Sequence, residues 1–273
     1  MRSRAQRRVT GLTLAIGALA LVMVPSSGGR PRAGDFSAPI GERLTYAISW
    51  ASYLVAGEMT LAVKARGRFF DRPGVHLELR ASTIGPVRAW VKALDEHWAS
   101  YVDPETWLPY RVELSRREGD RRTDLTIALD HRRGIARLST GRTIPISPET
   151  RDVVAFLYHL RALPLEPGDR YHGSLLSERR RIRVRADVGS RASVDTRAGR
   201  FEAIEIVLRV EDGGRRAADA RRLRLWLSAD ERRVPVLITA QEALGEIRAE
   251  LVELATGATA GRRPHVSPRS DRE

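Results

Sequence analysis

Apolar side chains recur at every second position along most of this chain, and that period of two is what most constrains its fold. Leu44, Tyr46, Ile48 and Trp50 fall on one face, with Arg43, Thr45 and Ser49 on the other. Gly57, Met59, Leu61 and Val63 repeat the pattern, as do Val75, Leu77 and Leu79; Tyr110, Val112 and Leu114; and Leu125, Ile127 and Leu129. Past the middle come Ile182, Val184 and Ala186, then Ile204, Ile206, Leu208 and Val210, then Leu223, Leu225 and Leu227. Successive side chains of a strand point to opposite faces, so each run reads as a strand with one buried face. Arg72-Pro73-Gly74, Glu118-Gly119-Asp120, Arg197-Ala198-Gly199 and Asp212-Gly213-Gly214 read as the turns between them. Many strands joined by short turns imply antiparallel pairing.

Two helices interrupt the alternation. Ser147-Pro148-Glu149 has the chemistry of a helix start: an N-cap hydroxyl, proline at the first position and an acid at the positive dipole end. Val153, Phe156, Leu157 and Leu160 then share a stripe, which predicts a helix over 149–163 that Pro164 ends. A shorter helix is expected at Pro86–Leu94. Leu244–Leu254 fits either period; the strand is preferred, because Val234–Ala240 precedes it at hairpin distance. The expected fold is mainly β, a strongly curved antiparallel sheet or open β-barrel with one or two packed α-helices. The 149–163 helix should lie on the concave side. Residues 41–255 hold no linker and no repeat of fixed period, and read as a single β-rich domain.

The ends are different in kind. Residues 1–29 read as an export signal or an N-terminal anchor: Arg2, Arg4, Arg7 and Arg8 precede a mostly apolar run from Val9 to Val24. That run is short of the roughly 20 apolar residues of a stable span, and its arginines place the rest of the chain outside the cytoplasm. Residues 30–40 read as a linker and 256–273 as a disordered tail. The formal charge of +13 shrinks once the ends are set aside: residues 35–256 hold 37 basic and 32 acidic residues. That small excess on an exported chain argues against nucleic acid as a partner and points to a solvated basic surface or an anionic envelope component. Membrane contact is expected at most through the N-terminal segment or surface charge.

The chemical motifs are sparse. Cysteine is absent, which excludes disulfides, thiolate metal sites and cysteine nucleophiles. No phosphate-binding glycine loop, zinc-protease motif or serine-nucleophile elbow occurs. No metal, no cofactor and no catalytic residue is therefore assigned. Asp95-Glu96-His97, followed by Asp103 and Glu105, is the one cluster that could serve acid–base or metal chemistry; a polar strand edge beside a turn is the preferred reading of it. Tyr46, Trp50, Trp98, Phe156 and Leu157 are candidate ligand-binding residues, since a concave apolar sheet lined with aromatics can hold an acyl chain, unless those rings simply fill a large β-core. Arg181, Arg183 and Arg185 share one strand face and are candidate anion ligands, or a solvated and edge-protecting stripe.

Three blocks in order resemble a bacterial envelope family known only as domain of unknown function 3108. They are Gly41-Glu42-Arg43-Leu44-Thr45-Tyr46-Ala47-Ile48-Ser49-Trp50, with Ala56-Gly57 behind it; Asp152-Val153-Val154-Ala155-Phe156-Leu157-Tyr158-His159-Leu160-Arg161, closed by Leu165-Glu166-Pro167-Gly168-Asp169; and Leu225-Trp226-Leu227-Ser228-Ala229-Asp230-Glu231-Arg232-Arg233-Val234-Pro235-Val236. The resemblance implies an exported, β-rich, periplasmic or envelope-associated protein, and supplies no catalytic residue. The function expected is a non-enzymatic binding or assembly factor for an apolar or amphipathic envelope component, such as a lipid. The alternatives are a hydrolase or carbohydrate-active protein using carboxylates near residues 95–105, and a purely structural partner of another envelope protein.

Overall fold

The computed structural model describes residues 38–50, 54–91, 93–178, 180–210, 222–242 and 245–257. The export segment, most of the linker, the Asp212-Gly213-Gly214 turn and nearly all of the tail lie outside them. Fifteen strands run in chain order: β1 Arg43–Trp50, β2 Leu54–Phe69, β3 Arg72–Thr83, β4 Leu94–Val102, β5 Pro109–Glu118, β6 Arg121–Asp130, β7 Ile135–Leu138, β8 Thr143–Pro145, β9 Thr150–Arg151, β10 Arg170–Leu176, β11 Arg181–Thr196, β12 Gly199–Val210, β13 Arg222–Ser228, β14 Pro235–Glu242 and β15 Gly245–Ala255. Among the described residues one α-helix, α1, spans Val153–Ala162.

All fifteen strands belong to a single sheet in the order β8-β7-β6-β5-β4-β3-β2-β1-β15-β14-β13-β12-β11-β10-β9. Every neighbouring pair is antiparallel except β9–β10. The first and last strands meet in the middle, with Arg43 opposite Ala255 and Trp50 opposite Ile247. The edge strands β8 and β9 are neighbours in sequence, so the sheet curls until its two edges share the 146–149 connection, without closing. The period-two residues face inward. Leu44, Leu61, Leu77, Val112, Ile127, Ile206, Leu225 and Leu251 are all buried in one continuous core with the apolar residues of α1. α1 touches β3 and β4 on one side and β9 and β10 on the other, and so spans the hollow of the sheet. Among the described residues no helix is long and apolar enough to cross a membrane.

Four local features refine the sequence reading. The helix starts later than expected: Asp152 is its N-cap, and Ser147–Arg151 form a turn and the short β9. Tertiary bonds decide this, because Thr150 Oγ1 pairs with Ser174 Oγ at 2.7 Å, which ties the segment to β10 instead of to a helical turn. The β2–β3 turn falls on Phe70-Asp71, both at positive φ, while Arg72-Pro73-Gly74 already belongs to β3. In place of a helix to Leu94, a helical turn with a π-type stretch at Val87–Val91 gives way to β4. The ambiguous last segment is the strand β15. Gly57 lies at a close approach of two strands, where a side chain would collide with the Ser82 carbonyl of β3.

Strand directions give the molecule two ends. The upper end carries the β1–β2, β3–β4 and β5–β6 connections, and the lower end the β2–β3, β4–β5 and β6–β7 connections.

Candidate functional site

α1 brings the aromatic candidates together. Asp152 caps it, accepting from the N–H groups of Val154 at 2.9 Å and Ala155 at 3.3 Å, and from the Ser100 hydroxyl of β4 at 2.6 Å. Burial pushes its carboxyl up, against the hydrogen bonds that hold it down. One turn on, Phe156 and Leu157 are buried, and the Phe156 ring lies against Gly173 of β10, where a Cβ would sit 2.8 Å from the ring. Tyr46 and Trp98 are buried in the same core, and Trp50 packs half-buried against its upper margin. All five thus belong to, or pack against, one continuous buried core.

At the other end of α1 lies a buried polar node that sequence reasoning missed. Arg161, which by position would only complement the dipole at the helix terminus, is instead fully buried and grips Glu42 with two bonds of 2.6 and 2.7 Å. It also donates to the Arg232 carbonyl at 3.0 Å, and its guanidinium lies 4.9 Å over the Tyr158 ring. Tyr158 donates to Glu42 at 3.3 Å, and Tyr46 donates to the Pro235 carbonyl at 2.7 Å. Burial raises the pKa of both phenols. Glu42 and Tyr46 come from the first of the three family-like blocks, Tyr158 and Arg161 from the second, Arg232 and Pro235 from the third. The blocks therefore meet in one knot that fastens the helix to β1 and to the β13–β14 turn. The only signal available in sequence was Glu42 and Arg161 themselves, too far apart to pair by spacing.

The acidic cluster does not assemble. Asp95 and His97 lie on the outer face, Glu96 on the inner face, and Asp103 and Glu105 beyond the lower end of β4. Asp95 is held by Arg88 in two bonds of 2.8 and 3.0 Å, which lower its pKa. Glu96 is buried and pairs with Arg116, yet burial still pushes its carboxyl up. His97 and His76 lie 3.6 and 3.7 Å from Glu78, whose other oxygen faces Arg80 and Lys64. A shallow cavity of about 380 Å³ on this outer face includes Asp95, His97, Arg80 and Ser115 in its walls. Asp103 spends its Oδ1 on the backbone of the Glu105–Thr106 turn, at 3.1 and 2.9 Å. Each of these carboxylates except Glu105 is thus engaged by a cation or a turn, and they do not face one another across a cleft.

The arginine stripe is also divided. Arg181 and its two successors share the outer face of β11, but Arg181 bonds Ser147, and Arg185 joins Arg170 and Arg209 around Asp187 at 2.8–3.0 Å. Arg183 stands between them, half-buried, opposite Ser174.

The upper end also exposes apolar side chains. Trp90 is 88% exposed on the β3–β4 connection, and Leu54 and Val55 are exposed at the start of β2. Ile84 N–H donates to the Ala56 carbonyl at 3.0 Å, which holds the two connections side by side. Neither the alternation nor a helical stripe marks these residues.

These features define a class: an open, barrel-like β domain wound round one buried helix. The chain belongs to the family described as protein of unknown function (DUF3108), whose model matches residues 45–252. Among solved structures it is similar to the β-barrel-like protein of domain of unknown function DUF1849 from Brucella abortus, with 11% identity, a TM-score of 0.54, and coverage of 80% of this chain and 98% of that one. That likeness is one of fold. A DUF1089 family protein from Pseudomonas aeruginosa also matches, with 13% identity and a TM-score of 0.40 over 77% of this chain and 95% of that one. No curated protein matches significantly.

Proposed function

We propose that the protein is an exported, non-enzymatic binding or assembly factor for an amphipathic component of the bacterial envelope, and that it meets the apolar part of that component at the upper end. The observation that carries this reading is Trp90. Trp98 and Trp107 are buried, and Trp50 and Trp226 are half-buried, whereas Trp90 stands 88% exposed at the same end of the molecule as the exposed Leu54 and Val55. Covering that indole would gain on the order of 3–4 kcal/mol, which a free monomer forgoes. Isolated exposed apolar residues are ordinary, but a nearly fully exposed tryptophan at an end that also exposes two aliphatic side chains supports a contact surface there. The packing of α1 against the sheet favours contact at the rim over enclosure in the hollow. The arginine-led N-terminal segment supports export.

The test is expression with the native N-terminus, followed by native mass spectrometry of protein released from the envelope fraction. The reading expects lipid adducts on the wild type and their loss in Trp90→Ala, with an unchanged melting temperature. Cytoplasmic protein, or adducts indifferent to Trp90→Ala, would overturn it.

A further inference from the structure

The lower end carries a different kind of surface, and three unusual features coincide there. A cavity of about 610 Å³ opens among Phe70, Arg72, Thr106, Tyr110, Arg111 and Arg137. That is within the size range of small-ligand sites.

The first feature is backbone strain. The described residues hold four non-glycine positions at positive φ, and three of them, Phe70 at 51°, Asp71 at 61° and Trp107 at 56°, flank this cavity. A two-residue hairpin with both φ values positive selects Asn-Gly or Asp-Gly. Here a phenylalanine and an aspartate occupy it, and the phenylalanine ring stands half-exposed at the mouth. A bulky residue in that region is a true outlier, and such strain gathers at functional sites.

The second feature is that the wall is held from behind. The buried Arg151 donates to the carbonyls of Thr106 at 2.8 Å, Trp107 at 3.2 Å and Glu149 at 3.1 Å. His131 Nε2 lies 2.7 Å from the Pro109 carbonyl. The 103–109 turn is thus fixed from both sides, with Trp107 stacked on Tyr158 in the core.

The third feature is charge. Arg72 lies 4.5 Å over the Tyr110 ring and Arg111 lies 4.1 Å over the Phe70 ring, so two guanidiniums are pre-oriented on aromatic faces. Arg132 and Arg137 add two more cations to the lining, against Asp103 and Asp130. Those two acids bond the backbone of their own turns, Asp103 to Thr106 N–H at 2.9 Å and Asp130 to Arg133 N–H at 3.0 Å. Arg111 gives its Nε to Glu113 at 2.7 Å, which leaves its terminal nitrogens for another acceptor.

We propose that this cavity binds a phosphate monoester, with Arg72 and Arg111 as its principal ligands and the Phe70 ring against the esterified group. A carboxylate is satisfied by one guanidinium, whereas a phosphate dianion offers three acceptor oxygens to several. The ester belongs either to a lipid headgroup or to a soluble phosphorylated metabolite. The site lies at the opposite end of β2 from Trp90 and stands or falls independently of the contact proposed there.

The experiment is titration calorimetry of the full chain with glucose 6-phosphate at low salt, alongside flotation with phosphatidylcholine vesicles that contain or lack phosphatidic acid. Saturable heat with the sugar phosphate assigns the site to a soluble ester, and flotation that requires phosphatidic acid assigns it to a lipid. Either supports the proposal, provided that Arg72→Gln and Arg111→Gln each weaken binding about tenfold or more. The double variant Phe70→Asn, Asp71→Gly supplies the favoured turn, so it should raise the melting temperature while weakening binding. Absence of binding to either probe, or binding equal to wild type in the two arginine variants, overturns the proposal. So does a stabilised turn variant that binds as well as wild type.

Discussion

Arg161 and Glu42 are each almost wholly buried, so their pairing dominates the residue scale. Removing one partner strands the other charge, and such losses run to about 3–5 kcal/mol. Arg161→Leu is therefore expected to lower the urea-unfolding free energy by about that much. Arg161→Leu combined with Glu42→Leu should recover most of the loss, because no buried charge is left over; a double variant as unstable as the sum of the singles would refute the pairing. His159, on the flank of α1, gives a pH signature. Burial, and secondarily the nearby Arg151 cation, push its pKa down to about 3. The unfolded chain takes up this proton near pH 6.5, while the folded protein resists until about 3. Its contribution is intact above pH 6.5 and erodes as pH falls through that window, by at most about 1.4 kcal/mol per unit. Replacing His159 with Gln should flatten the acid limb of stability between pH 6.5 and 4. An acid limb that is unchanged would mean the imidazole is free to charge in the folded state.

At the scale of elements, α1 and β10 are fitted to one another at a single glycine. Gly173→Ala would set a Cβ 2.8 Å from the Phe156 ring, and overpacking of this kind costs about 1–3 kcal/mol. Phe156→Ala alone should cost about 3–5 kcal/mol in urea melts, because the ring is buried. The two changes together should be less damaging than their sum, and strict additivity would place the ring elsewhere. The strands are legible in the sequence because the alternation Leu44, Tyr46, Ile48 writes the buried face directly into the chain. The helix is legible as a stripe but not in its first turn, since Ser147-Pro148-Glu149 has good capping chemistry and loses to the Thr150–Ser174 contact, which no local pattern reveals. The five aromatic and aliphatic candidates do lie together, but whether such a group encloses a ligand or a helix depends on the depth of the sheet, which periodicity does not encode. Phe70-Asp71 carries little turn signal, because phenylalanine disfavours positive φ and the aspartate stands at the second position, where such a turn selects glycine. The conflict between its sequence and its conformation is visible only in the structure.

The whole molecule is organised around the pairing of its two terminal strands. β1 and β15 lie at the centre of the sheet, and the half-sheets β1–β8 and β9–β15 extend from them in opposite directions. The halves are joined by the β1–β15 ladder, by α1 across the hollow and by the short connection between β8 and β9. The β1–β15 ladder brings together residues some 200 positions apart, so its loop-closure cost falls late and folding should be slow. The fold therefore ought to tolerate a break between β8 and β9 far better than the loss of β15. Gly41 and Gly257 nearly touch, since a Cβ on Gly41 would fall 2.7 Å from the Gly257 Cα. A linker of about five glycine and serine residues can thus join residue 257 to residue 38. A circular permutant with new ends at Ser147 and Pro148 keeps every ladder of the sheet and should unfold in one cooperative urea transition, within about 1–2 kcal/mol of the parent. A chain ending at Glu242 loses β15 and with it both of that strand's ladders, so its half-sheets keep only the helix and the 146–149 connection between them. It should show no cooperative transition by tryptophan fluorescence. If the permutant fails to fold while the truncation survives, the 146–149 connection holds the molecule together, and the sheet behaves as a closed barrel fastened at its edges.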